Sequence, residues 1–180
     1  MKKLLFFAAI ASMLASCNSG KKEASNGDSV KVFETNIENV DSLASLPNGV
    51  WKNLKTVVEG VAHSGRFSSK IDSIEQFSMV FEDQLSNLDS KMPKKVNFSA
   101  FGSAVKPNTP VLIVLSVSSD KVYKTASADS LFTTLNEWKP INAQFELPDN
   151  LAGDDILKVY VWNRQKGEFL VDDIKVELIY

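Results

Sequence analysis

The stretch Phe169-Leu170-Val171-Asp172-Asp173-Ile174-Lys175-Val176-Glu177-Leu178-Ile179-Tyr180 alternates apolar and polar side chains in its second half. That two-residue period belongs to a β-strand with one face buried and one wet. By parity Leu170, Ile174, Val176, Leu178 and Tyr180 share one face, and Asp172 falls on it with them. Asp173, Lys175 and Glu177 take the other face. A carboxylate in an apolar register is costly unless it is paired, hydrogen-bonded or bound to a cation. Val30 and Val32 share parity with Glu34 near the start of the same region, which poses the same problem there.

The period persists upstream. Phe67, Ser69 and Ile71 alternate with Ser68, Lys70 and Asp72, Phe77, Met79 and Phe81 alternate with Ser78, Val80 and Glu82, and Val96, Phe98 and Ala100 follow the same rule. Leu157, Val159 and Val161 alternate with Lys158, Tyr160 and Trp162. Val111–Val117 is a near-continuous β-branched run, as expected of a strand covered on both faces. Turn signals punctuate these runs at Asn48-Gly49, Ser64-Gly65, Pro107-Asn108, Pro148-Asp149-Asn150, Gly153-Asp154 and Lys166-Gly167. Helix signals are confined to short pieces at 40–46, 81–88 and 129–135. The expected fold class is all-β, a sandwich or jelly roll spanning residues 30–180.

The N-terminus has a different character. Lys2-Lys3 precede an apolar run from Leu4 to Leu14, too short to span a bilayer and the length of a signal-peptide core. Leu14-Ala15-Ser16-Cys17 resembles the lipobox of bacterial lipoproteins. That resemblance implies a signal peptide over 1–16, cleavage before Cys17 and lipid on its thiol, which anchors the protein to a membrane of the cell envelope. Two or more acyl chains make such an anchor stable. Asn18 stands where Asp would signal retention in the inner membrane, so the outer membrane is the expected destination. Residues 17–29 contain almost nothing apolar after the cysteine and read as the lipidated residue and a flexible tether.

The domain also resembles the galactose-binding-like β-sandwich, the jelly roll of many carbohydrate-binding modules. Four ordered pieces carry the likeness: Phe33-Glu34, Ala62-His63-Ser64-Gly65-Arg66-Phe67-Ser68, Trp138 followed by Phe145-Glu146-Leu147-Pro148, and the Phe169–Ile174 strand. The resemblance implies a structural calcium held by Glu34 and Asp172 with backbone carbonyls, and a structural Trp138 in the core. The residues themselves leave another solution open, in which Asp172 accepts backbone N–H bonds at a bulge and Glu34 pairs with a lysine.

For a ligand, the resemblance points to sugar rings stacked on aromatics. Tyr160 and Trp162 lie opposite Leu157, Val159 and Val161 and would form a platform on an open sheet, with Asn163 and Arg164 at its rim and Trp51 as a loop contribution. The alternative is that both rings pack beneath a covering loop.

Several classes are disfavoured. The 180 residues carry 20 Lys and Arg against 22 Asp and Glu, and removal of residues 1–16 takes Lys2 and Lys3 with it. This balance is no nucleic-acid footprint. The single histidine, His63, and single cysteine exclude metal sites needing several such ligands and any intrachain disulfide. Asp172 and Asp173 are adjacent strand residues that point to opposite faces, unlike the facing carboxyls of a glycosidase. The expected function is a non-catalytic, membrane-anchored lipoprotein with a carbohydrate-binding-like module and a glycan partner. The alternative is a structural or interaction lipoprotein using the same sandwich as a scaffold for a cell-surface protein.

Overall fold

The computed structural model describes residues 29–45, 49–107, 109–118, 121–165 and 167–180. The expected signal peptide, Cys17 and the expected tether up to residue 28 lie outside the described residues.

Among the described residues eleven strands run in chain order: β1 Val30–Thr35, β2 Trp51–Lys52, β3 Val57–Glu59, β4 Phe67–Ile71, β5 Val80–Gln84, β6 Lys95–Ala104, β7 Val111–Val117, β8 Val122–Ser127, β9 Lys139–Glu146, β10 Ile156–Asn163 and β11 Phe169–Ile179. Two short helices, α1 Val40–Ser45 and α2 Leu85–Leu88, complete the set together with two single-turn 3₁₀ segments. The strands form two antiparallel sheets. One has the order β3-β4-β11-β6-β9, with β1 also paired to β11; the other has the order β2-β5-β10-β7-β8. The protein is an all-β jelly-roll sandwich.

The core is the layer between the sheets. Val96, Phe98 and Ala100 on β6 and Ile174, Val176 and Leu178 on β11 meet Ile113, Leu115 and Val117 on β7 and Leu157, Val159 and Val161 on β10. Phe81 sits at its centre, with the rings of Phe33 and Trp51 at 5.0 and 5.7 Å. Burying a side chain of this size contributes about 2–3 kcal/mol from apolar transfer alone. The runs on β6, β10 and the second half of β11 keep the strand period, which is why alternation identifies them, whereas β7 stands out as a near-continuous apolar run.

Two parities break. The register of β11 on β6 shifts between Asp172 and Lys175, and Asp173 has φ +48°, a bulge with one residue in the left-handed region. Before the bulge Phe169 and Val171 face the core; after it Ile174, Val176 and Leu178 do. Asp172 is therefore not on the core-facing register that unbroken alternation gives it. It pairs with Phe101 on the outer face and is buried by the loop ahead of β4. On β1 it is Phe33 that packs on the core, while Val30, Val32 and Glu34 are exposed. Lys31 shares the parity of Phe33 but is exposed; its ammonium lies 5.8 Å from the Phe33 ring centroid and donates to the Leu88 carbonyl.

Candidate glycan-binding face

The outer face of the β2-β5-β10-β7-β8 sheet is set by β10. Leu157, Val159 and Val161 are buried against the other sheet, so Lys158, Tyr160 and Trp162 project the other way. No loop buries the two rings completely; both are half-buried. Phe77 joins β10 through an isolated bridge to Trp162 and is 43% exposed. Its ring stands perpendicular to Tyr160 at 5.4 Å and lies 6.2 Å from Trp162. Tyr123 on β8 is 56% exposed and lies level with Lys158 through Ser116. Burial raises the Tyr160 phenol above its ordinary pKa, and the phenol of Tyr123 adds to the effect. The result is an aromatic strip crossing the sheet, with Phe77 and Tyr160 flanking a cavity of about 310 Å³.

The charges around this cavity are paired. Lys55 and Glu75 are 2.6 Å apart, and Lys158 and Glu82 3.0 Å. Asn53 ties the wall to the sheet. Its side-chain amide donates to the carbonyls of Phe77 and Ser78 at 2.9 and 3.1 Å. It does so from φ +59°, a region asparagine tolerates better than most residues. Asp72 Oδ1 accepts from the N–H groups of Ile74 and Glu75 and so shapes the turn that carries Phe77. Aromatic faces with paired charges at the margin suit the apolar face of a sugar ring and its hydroxyls.

The other sequence-derived site residues are placed differently. Trp51 is 7% exposed and turned into the core against Phe81, so it offers no ring to a ligand. Asn163 is 0% exposed. It shares the inward parity of Val159 and Val161, and its amide donates to the Gly167 carbonyl. Arg164 is exposed beyond the end of β10 and lies 3.4 Å from Asp129. Trp138 is half-buried on the outer face of the other sheet, with its ring 5.8 Å from that of His63, and is not a core residue. Phe77 and Tyr123 were missed. The period-two reading of Phe77, Met79 and Phe81 hides Phe77 in the core, whereas the chain bends at Met79 and the adjacent Ser78 and Met79 are both buried. Tyr123 was legible as the outward partner of buried Val122.

The two carboxylates proposed for calcium are not equivalent. Asp172 is 0% exposed. Its Oδ2 accepts from the N–H groups of His63 and Ser64 at 2.8 and 3.0 Å, and its Oδ1 from that of Asp173 at 2.7 Å. Burial pushes this carboxyl above the ordinary range, and the amide donors pull against that shift. Glu34 is exposed, faces Lys175 in register and shares a cavity with Asp173 rather than Asp172. The carboxylate that does reach the same turn is Glu38, whose Oε1 accepts from the N–H groups of Arg66 and Phe67 at 2.7 and 2.9 Å. Calcium takes six to eight oxygen ligands, whereas this turn aims N–H groups at both acids. As arranged, the residues do not fit a calcium shell, and no cluster of three or more metal-ligating side chains occurs among the described residues.

His63 and Ser64 do not form a nucleophile pair. The imidazole Nδ1 and the Ser64 hydroxyl both bond Asp173, each at 2.6 Å, rather than one another. The serine proton is directed at the Asp173 carboxylate and not at the imidazole.

No protein-family model matches the chain, and no curated protein matches its sequence. Solved structures do resemble it. The C-terminal family 22 carbohydrate-binding module of a Clostridium thermocellum xylanase superposes with a TM-score of 0.51, at 13% identity, over 81% of this chain and 91% of that one. A tandem of two family 22 modules from Paenibacillus barcinonensis gives 0.50 at 15% identity, over 86% of this chain and 47% of that one. The chain spans 26% of a Clostridium thermocellum xylanase structure of CBM22-1 and GH10 modules complexed with xylohexaose, which covers 72% of this chain at 14% identity with a TM-score of 0.49. At these identities the likeness is one of fold.

Proposed function

We propose that the protein is a non-catalytic glycan-binding lipoprotein of the cell envelope, held to the outer membrane through lipid on Cys17. The glycan lies across the outer face of the β2-β5-β10-β7-β8 sheet, stacked on Tyr160, Phe77, Tyr123 and the exposed part of Trp162. The single observation that supports this reading is the aromatic strip beside a cavity whose lysines and glutamates are paired. Such a surface favours an uncharged polysaccharide, because an acidic one would have to displace Glu75 and Glu82 from their lysines.

A panel of soluble polysaccharides and hexasaccharides, xylohexaose included, tests it by isothermal titration. Binding of at least one neutral glycan is expected, with loss of about tenfold or more in affinity in Tyr160→Ala, since stacking one ring contributes on the order of 1–3 kcal/mol. Undiminished binding in the combined Phe77→Ala and Tyr160→Ala variant would sink the assignment. The anchor is tested separately by mass spectrometry of the mature N-terminus, where Cys17→Ser is expected to abolish lipid and membrane retention.

A further inference from the structure

The opposite sheet carries a second surface that neither the fold nor the aromatic face accounts for. On its outer side the register sets side chains in rows across four strands. Gln144, Asn97, Glu177 and Val32 form one row; Asn142, Ser99, Lys175 and Glu34 form the next. The rows are about 7 Å apart and about 14 Å across, from the spacing of residues and strands in a sheet. An antiparallel sheet commonly leaves one face to water. Ser99 is short and lies between Asn142 and Lys175, and two adjoining cavities of about 470 Å³ each meet over Ser99 and Lys175. One is lined by Asn97, Asn142 and Gln144, the other by Glu34, Asn36 and Asp173.

The chemistry of this trough is specific. Among the described residues no hydrogen bond engages the side-chain amides of Asn142 or Gln144. Planar amides present paired donors and acceptors, the pattern that vicinal hydroxyls satisfy. Lys175 and Glu177 are tied to one another at 2.6 Å, and Glu177 also accepts from Asn97 at 3.2 Å. Glu34, Asp173 and Glu177 outnumber Lys175, so an anion is repelled. One end of the trough has an aromatic bank. His63 stacks on Phe101 at 3.6 Å with an interplanar angle of 9°, and Trp138 stands edge-on to His63. Phe101 continues the outward row of Asn97 and Ser99, and Asp173 links the bank to the trough by its bond to His63.

We infer that this trough is a second binding site, for a neutral polyhydroxylated chain, on the face opposite the aromatic strip. Amides of Asn97, Asn142 and Gln144 hydrogen-bond its hydroxyls, and the His63–Trp138 bank closes one end. The inference stands independently of the aromatic strip, because no residue is shared between the two surfaces.

Backbone-amide NMR titration of the protein tests it, using xylohexaose, cellohexaose and mannohexaose as neutral probes and hexagalacturonate as the acidic one. A saturable set of shifts is expected on β6 and β9 around Asn97, Ser99, Asn142 and Gln144 with at least one neutral probe. Both amides are on exposed residues, so Asn142→Ala combined with Gln144→Ala leaves the fold intact. That variant should weaken this set tenfold or more and leave any set around Tyr160 unchanged. Phe77→Ala with Tyr160→Ala should do the reverse, so loss of one site is read apart from loss of the other. No saturable shift on β6 and β9 at about 10 mM of any neutral probe overturns the inference. So does tighter binding of hexagalacturonate there, or a double variant that binds as well as the parent.

Discussion

Asp172→Ala removes an acceptor that holds three backbone N–H groups inside the protein, those of His63, Ser64 and Asp173. The site is sealed from solvent, so water does not replace the lost oxygen atoms. Each orphaned donor costs about 1–3 kcal/mol, and release of a buried carboxylate offsets part of the sum. A net loss of about 2–4 kcal/mol is expected. For a domain of this size that lowers Tm by roughly 5–15 °C. Asp172→Asn keeps one acceptor oxygen and turns an NH₂ toward the remaining donor, so it should cost about 1–2 kcal/mol. Because the folded carboxyl has a raised pKa, its contribution is fully present below the unfolded value of about 3.9. It is lost as pH rises through the folded value. The stability gap between parent and Asp172→Asn should therefore be widest in acid and narrow as pH rises from about 4 toward neutrality. Urea unfolding followed by tryptophan fluorescence across that range measures both quantities. Asp172→Ala within about 0.5 kcal/mol of the parent, or a gap that widens toward neutrality, would refute the reasoning.

Other perturbations probe different links. Phe81→Ala empties the centre of the core and should cost about 3–5 kcal/mol by urea unfolding, without loss of strand signal in the far ultraviolet before the transition. Gly65→Ala puts a methyl 2.2 Å from Glu38 Cδ at φ +65°, so thermal melting should show destabilisation of about 1–3 kcal/mol. Adding Glu38→Ala to it should restore part of that loss. Excess chelator should leave Tm unchanged, given a turn that offers N–H groups to its acids; a drop of several degrees would reinstate calcium.

Alternation made most of the fold legible. β6 and β10 have both their spans and their buried faces written in period two, whereas β7 shows itself as a near-continuous apolar run. The method failed where local chemistry overrode it. An extra residue at Asp173 reverses β11, and a lysine on the inner side of β1 conceals that Phe33 faces inward. The candidate face was half legible. Tyr160 and Trp162 follow from their buried neighbours, and the same parity already places Asn163 inside. Phe77 escaped notice because its position depends on Asn53, which lies 24 residues away in the chain. No local pattern encodes that contact.

The bulge on β11 makes one strand behave as two with opposite reading frames. Its first part joins β4 and its second part joins β1 along the same edge. Excising Asp173 alone would remove the extra residue and leave Phe169, Val171, Ile174, Val176 and Leu178 on one face in unbroken alternation. Excising Lys175 instead would keep the bulge and turn Val176 and Leu178 out to water. Of two single-residue deletions a step apart, the first should cost only the bonds that Asp173 makes to His63 and Ser64, and the second should empty half a strand from the interior.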